Sequence, residues 1–351
     1  MKLLIYADPH FSSYSSIVRS RGEKYSTRLE NLIKTLNWIE TTATKEQCDT
    51  IVCLGDFFDK CDLNSEELTA LQEICWSNIR HYYITGNHEM GRSNLEFSSS
   101  HLFNLCSNTQ TVDKVSALVD NEADTNIVFL PYVLETNRQP LLDYLKPYKN
   151  KSTVIVLSHN DIAGVQMGQY LSKDGFTVDE IEENCNLFIN GHLHNGSSIG
   201  NKIINLGNIT GQNFSEDAYT YKHQCLVLNT TTHDIQFIEN PHAFHFYKIN
   251  AVGQSLVSIQ STLSYLKTNS IVTIKVSSEL VNHIKSVLDG CSNIIEYRLL
   301  IDMINAFSEV ESSNVDLGIN HIDKFIDYVK TNLGVEKTIL DELNNVAGNV
   351  I

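Results

Sequence analysis

Residues 50–59 read Thr50-Ile51-Val52-Cys53-Leu54-Gly55-Asp56-Phe57-Phe58-Asp59. An apolar, β-branched run breaks off into a glycine and a carboxylate, the pattern of a buried strand that delivers a polar group at its C-terminal end. The same pattern recurs along the chain. Leu3 to Ala7 ends in Asp8-Pro9-His10, where proline cannot continue a strand ladder. Tyr82 to Thr85 stops at Gly86-Asn87-His88-Glu89, Thr153 to Leu157 runs into Ser158-His159, and Leu187 to Ile189 into Asn190-Gly191-His192-Leu193-His194. Helical patterns lie between these strands. Leu29, Leu32, Ile33, Leu36 and Ile39 share a helical face, and Asn64 with Glu67 three residues on reads as a helix cap. Strand, helix and strand in alternation predict an α/β fold with a layered sheet and functional groups gathered at strand ends.

Composition bounds what such a domain can be. The chain has 351 residues, is 42% hydrophobic and carries 26 Lys+Arg against 42 Asp+Glu, a formal charge of −16. It can bury a large core, and it does not hold nucleic acid by a global basic surface. A local positive groove remains open, because a bound divalent ion adds charge that the formal count omits. The 8 cysteines show no CxxC and no regular spacing, as expected of thiols in a reducing compartment. No signal peptide or membrane span is legible, so a cytoplasmic protein is expected, in the host cytoplasm if the protein is viral.

Further strands are expected at Ile127–Leu130, Ile203–Leu206, Cys225–Leu228 and Ile235–Ile238, with a capped helix beginning after Thr177. Helices are also read over Asn64–Asn78 and after Gly91. The pattern changes near Asn240-Pro241. Residues 1–240 form the main domain, and 241–308 a small α+β capping unit of helix, strand, helix, strand. Residues 309–351 are a polar linker followed by two helical patterns in a strongly acidic tail.

The strand-end groups of the main domain suit metal chemistry. Carboxylates, an amide and imidazoles fit a pair of Mn, Fe or Zn-like ions better than a soft thiolate site. A pair of ions needs a bridging carboxylate, and Asp56 has the order and type to be it. In extended chain, Asp8 and His10 would point to one side, as would His192 and His194. Glycines beside Asp56, Asn87 and His192 would allow the ligands to converge. A stray Gly196-Ser-Ser198-Ile-Gly200 has GxSxG spacing but lacks the strand-to-helix context of a serine hydrolase, and no Walker motif is present.

The set DPH, GDFFD, GNHE, SH and GHLH, all in order, resembles the calcineurin-like metallophosphoesterases. Within them it is most similar to the nuclease subunit of the bacterial SbcCD complex and its T-even-type bacteriophage relative. Supporting features are the basic loop Arg19, Arg21, Lys24 and Arg28, Phe129-Leu130-Pro131-Tyr132, and the NLGN and NFSED segments after GHLH. The resemblance implies a β-sandwich flanked by helices over roughly residues 1–240. It implies one ion held by Asp8, His10, Asp56 and His194, and another by Asp56, Asn87, His159 and His192. His88 would face the scissile phosphate and assist the leaving group. Asp59 stands where many relatives have a histidine, so it takes a role behind the ligands or toward the substrate.

The implied activity is Mn-dependent exonuclease and endonuclease cleavage of DNA in recombination and repair (two Mn²⁺, with Mg²⁺ or another divalent ion possible). The implied partners are DNA, an SMC-like ATPase of the SbcC or Rad type, and a second copy of the chain. The alternative within the superfamily is a phosphodiesterase or phosphatase for small substrates. A binding scaffold with a degenerate site would be free to lose one of these ligands, and none is missing.

Overall fold

The computed structural model describes residues 1–167 and 170–302. The linker and helical patterns expected beyond Asp302 lie outside the described residues.

Two six-stranded sheets form the centre of the fold. The first runs, in spatial order, Ile235–Glu239, Gln224–Asn229, Lys2–Tyr6, Thr50–Cys53, Arg80–Ile84 and Thr109–Val112. The second runs Ser197–Ile199, Ile203–Asn205, Leu187–Asn190, Thr153–Ser158, Thr125–Leu130 and Ser116–Asp120. In the second, parallel pairings occupy the middle and antiparallel ones both edges, whereas in the first the antiparallel pairings lie at one end and Thr109–Val112 closes the other edge in parallel. The alternation of strand side chains separates the layers. Leu3 and Ile5 join Ile127, Phe129 and Leu157 in a core between the sheets. Leu4 and Tyr6 face the other way, onto the helix Thr27–Lys45. Val128 and Leu130 pack with Leu141, Leu145 and Ile181 of short helices outside the second sheet. The result is a mixed α/β fold, a sandwich of two sheets with helices on both outer faces.

The long helix forms where its apolar stripe predicts. Ser26 caps it by accepting from the Leu29 amide, and Leu29, Leu32, Leu36 and Ile39 are buried. Each is worth about 1.5–3 kcal/mol relative to exposure. Asn64 and Glu67 make the expected capping box, and Thr177 caps Val178–Asn184.

Two expected helices change. The one read over Asn64–Asn78 is helical only at Ser65–Ala70, passes through a 3₁₀ turn at Leu71–Glu73 and is extended at Ile74. Side chains of the long helix account for this. Asn37 accepts from the Cys75 amide and Glu40 from the Ser77 amide, so those donors are drawn out of a helical ladder. After Gly91 there is no α-helix but a hairpin, Met90–Gly91 with Asn94–Ser98, followed by a 3₁₀ segment Ser99–Leu105. Arg92 and Ser93 both take left-handed φ angles, 56° and 53°, as a two-residue hairpin turn demands.

Beyond Asn240 the chain builds a three-stranded sheet, His245–Asn250, Ser270–Ser277 and Ile294–Asp302, with helices Leu256–Ser264 and Val281–Asp289. Ile259, Leu263, Val272, Ile274, Ile284 and Leu288 form its own core. The first of these strands was not expected. His245, Phe246 and Tyr247 in succession are all buried, so the run lacks the one-sided alternation that marks a strand. No helix among the described residues is long and apolar enough to cross a membrane.

Candidate metal centre

The C-terminal ends of the parallel strands of both sheets open toward one place, as loops over open α/β sheets do. Asp8 and His10 follow Lys2–Tyr6, Asp56 follows Thr50–Cys53, Asn87 and His88 follow Arg80–Ile84, His159 follows Thr153–Ser158, and His192 and His194 follow Leu187–Asn190. The first two loops are zipped together, the Asp8 amide donating to the Gly55 carbonyl and the His10 amide to the Asp56 carbonyl.

The backbone there is not extended. Asp8, His10, Asp56 and His192 have φ of 51°, 47°, 46° and 69°, so the extended-chain reason for Asp8/His10 and His192/His194 convergence is wrong. Left-handed turns bring the side chains together, at about 1–3 kcal/mol per residue. Gly55 takes the turn expected of it, at φ 110°, and the glycines also make room. A Cβ on Gly55 would lie 2.3 Å from His159 Nδ1, and one on Gly86 2.1 Å from Asp56 Oδ1.

All nine predicted site residues meet. Three groups bring ligand atoms within 4.8 Å of one another: Asp8, His10 and His194; His10, Asp56 and His88; and Asp56, His159 and His192. Asp56 Oδ2 lies 3.2 Å from His159 Nε2 and 3.7 Å from His10 Nε2, between the two halves. Asn87 Oδ1 is 3.1 Å from His159 Nε2.

The histidine tautomers show what this centre wants. His159 Nδ1–H donates to the Leu54 carbonyl at 2.8 Å, which turns Nε2 toward the oxygens of Asp56 and Asn87. His10 Nδ1–H donates to Asp59 at 3.0 Å, and His194 Nδ1 lies 3.5 Å from buried Glu216. Their Nε2 atoms approach each other at 3.1 Å. His192 uses Nε2 on Asp161 at 3.1 Å and keeps Nδ1. Ring nitrogens and carboxylate oxygens converge at 3.1–3.7 Å, and donors bound at about 2.0–2.1 Å to one ion sit at such separations. The donor set fits a binuclear divalent-metal site, and each histidine has the outer partner that fixes a ligand's tautomer.

Charge distribution agrees. Burial would raise Asp56, but His159 and His10 hold it far below the usual carboxylate range. Burial would lower His159, yet Asp56 and Asp8 outweigh it and lift the ring to about 9. The centre therefore attracts positive charge.

His88 stands apart from the other histidines by being partly exposed, its side chain at 44%. Its amide donates to Asp56 Oδ1 at 2.9 Å, and its ring packs edge-on against His10. The hydrogen bond with Asp59 lifts it to about 9 against the effect of burial. A cavity of about 620 Å³ opens onto Asp56, His88, His192 and His194, walled by Asn195 and Tyr221.

Several contributors were not singled out from sequence. Asp161 and Glu216 hold His192 and His194, and Glu216 lies within the NFSED segment without having been marked. Glu89 is fully buried, accepts from the Gly86 and Phe58 amides, and is raised to about 8 by burial and Asp56. Glu67 does more than cap a helix, since it also accepts from Ser12 and Ser13 behind the first ligand loop.

The sequence profile of the calcineurin-like phosphoesterases matches residues 1–196. The chain belongs to this family. No curated protein matches its sequence. Solved structures similar to it include TT1561 of Thermus thermophilus, at 9% identity and TM-score 0.41, covering 68% of this chain and 98% of that one. A dimetal phosphatase from Danio rerio has 13% identity and TM-score 0.40 over 68% of this chain and 99% of its own. The calcineurin-like phosphoesterase YfkN of Bacillus subtilis has 11% identity and TM-score 0.35 over 68% and 88%.

Proposed function

We propose that this calcineurin-like phosphoesterase hydrolyses phosphodiester bonds at its two-ion centre. The observation that carries the reading is His88. It is a cationic imidazole at the rim of the cavity, steadied by Asp59 and adjacent to the shared carboxylate Asp56. Ions held there by Asp8, His10, Asp56, Asn87, His159, His192 and His194 would supply an acidified water and charge neutralisation at phosphorus. His88 would give its proton to the departing oxygen, and Asp59 would keep the ring turned toward it. Alkyl phosphoesters, diester and monoester alike, need that proton because the leaving alcohol is a poor one.

For the substrate, the motif resemblance favours DNA, cleaved as an exonuclease and endonuclease in recombination and repair with Mn²⁺ and an SMC-like ATPase partner. Self-association rests on that resemblance, since the helix read over Asn64–Asn78 is reduced to Ser65–Ala70 and the segment after Gly91 is a hairpin. A small phosphodiester or phosphomonoester is the second reading, and one observation favours it. Three of the four bases of the loop offer little free charge: Arg21 pairs with Glu66, Lys24 with Glu73, and Arg28 is buried, while the Arg19 guanidinium donates to the Ser16 carbonyl. The geometry of the site asks for nothing more than a small ester, whereas DNA requires positive charge from another surface or a partner.

Purified protein with Mn²⁺ should be assayed on single- and double-stranded oligonucleotides beside bis-nitrophenyl phosphate and a nitrophenyl monoester. Cleavage of oligonucleotides at rates above the small diester supports the DNA reading. Turnover of small esters alone supports the second, and no hydrolysis of any of them with two ions bound would defeat both.

A further inference from the structure

The two arches that carry His10 and His194 are held from behind in the same way. Residues 8–10 present consecutive carbonyls away from the cavity. Gln212 Nε2 donates to that of Asp8 at 3.0 Å, and the Arg28 guanidinium to those of Pro9 and His10 at 3.1 and 3.4 Å. Residues 193–195 repeat the arrangement. Asn205 Nδ2 donates to the carbonyls of Leu193 and Asn195 at 2.6 and 2.9 Å, and the Asn208 amide to that of His194 at 3.2 Å. Arg28 and Asn205 are 5% and 2% exposed, so these donors have no water to turn to and the carbonyls no other buried partner of equal strength. Arg28 also donates to the Gly211 carbonyl at 3.3 Å, which ties the long helix to the segment bearing Gln212. Gly207 lies against the second arch so closely that a Cβ there would come 2.8 Å from the His194 carbonyl oxygen.

We infer that Arg28, Gln212 and Asn205 are positioning residues of the metal centre, which fix the left-handed turn at His10 and the arch at His194 so that their Nε2 atoms converge on one ion. Arg28 thereby leaves the basic loop to which its sequence position assigns it. None of the three touches a ligand atom. They act through the backbone, and on the half of the centre built by Asp8, His10 and His194. The half built by Asn87, His159 and His192 has supports of its own in the Leu54 carbonyl and Asp161, and meets the first where the His192 amide donates to Asp8 at 3.0 Å.

The inference rests on the two-metal reading, and its test separates the two. The full chain and the variants Gln212→Ala, Asn205→Asp, Arg28→Lys and Arg28→Ala are titrated with Mn²⁺ by calorimetry. Each is also loaded with Co²⁺ for its ligand-field absorption spectrum, and thermal unfolding is followed alongside. The expected result is two ions in every protein, one of them weakened by about 10–100-fold in Gln212→Ala and Asn205→Asp. The other ion should stay within about 3-fold of wild type, and half of the Co²⁺ bands should be displaced. Arg28→Lys should lie between wild type and Arg28→Ala. Wild-type affinity for both ions with unchanged Co²⁺ bands in Gln212→Ala and Asn205→Asp would overturn the inference, and equal weakening of both ions would do so too. If Arg28→Ala does not fold, those two variants decide alone. A wild-type chain that binds no divalent ion would overturn the two-metal reading itself.

Discussion

The Nε2 atoms of His10 and His194 face each other at 3.1 Å across 184 positions of sequence. Each ring has its Nδ1 side committed to a carboxylate, Asp59 for His10 and Glu216 for His194. At that distance one nitrogen must carry a proton or a cation must lie between them; burial would lower His194, but Glu216 and Asp8 outweigh it and raise it, so the pair attracts positive charge. Burial lowers the proton affinity of His10, which leaves its nitrogen free to act as a ligand. The pair joins the two sheets, because His10 follows a strand of the first and His194 a strand of the second.

Asp56 tests the shared carboxylate. Its Oδ2 lies between His10 and His159, so Asp56→Ala should weaken both ions. The loss at each should exceed the roughly 10–100-fold that follows removal of an outer partner. Metal titration with ion counting checks this. Loss of one ion with the other at wild-type affinity would show that Asp56 serves a single site.

The site was more legible in the sequence than the backbone that builds it. Asp8, His10, Asp56, Asn87, His159, His192 and His194 each follow an apolar run, so strand-end position alone marks them. The turns that aim them were not legible, because aspartate and histidine at positive φ carry no local signature and are held by distant groups such as Arg28. Asp161 and Glu216 hold their histidines through space and belong to no repeated pattern. The segment Asn64–Asn78 shows the same limit in the fold: its apolar stripe is helical, but Asn37 and Glu40 claim its backbone donors from another element. The strand His245–Asn250 was hidden because burial on both faces erases alternation.

The basic loop yields a prediction about DNA. Arg21 and Lys24 already face Glu66 and Glu73, so each base brings a carboxylate that offsets its charge toward a phosphate. Arg21→Ala and Lys24→Ala should therefore change oligonucleotide affinity by less than about 3-fold and leave the slope of log affinity against log salt within about one of wild type. Fluorescence anisotropy between about 50 and 200 mM salt, a range in which phosphate contacts weaken steeply, makes the measurement. A drop of about 10-fold or more with a shallower slope would make the loop a phosphate-binding element.

His245 gives a pH dependence outside the metal centre. The residue is 4% exposed, its Nδ1 has no hydrogen-bond partner among the described residues, and burial, aided by Lys267 and His223, lowers it to about 4. An unfolded chain takes up this proton near 6.5 and the folded one only near 4. Between those values the unfolded state binds more protons, so stability rises with pH across that window and falls on acidification. The contribution amounts to about 3 kcal/mol at full development. His245→Gln should flatten the stability profile between about pH 6.5 and about 4, whatever its effect at neutral pH. Urea unfolding of both proteins across the window measures the difference, and parallel profiles would remove His245 from the account.

His88 separates ligation from proton transfer. Its ring lies within 4.8 Å of ligand atoms of His10 and Asp56, so proximity alone allows it to bind an ion. Its other features argue for a proton donor. It is partly exposed at the cavity rim, and Asp59 raises it to about 9, so it carries its proton at neutral pH. Asn87 and His88 lie in a turn, not in extended chain, so their separation into ligand and acid rests on partners: Asn87 faces His159, and His88 faces Asp59. His88→Ala should lose about 10²–10⁴-fold in turnover of a substrate with an alkoxide leaving group while keeping two ions. A nitrophenyl ester, whose leaving group departs without a proton, should lose much less if proton donation is the main role. Equal losses on both substrates would move His88 to the non-bridging oxygens, and loss of one ion would make it a ligand.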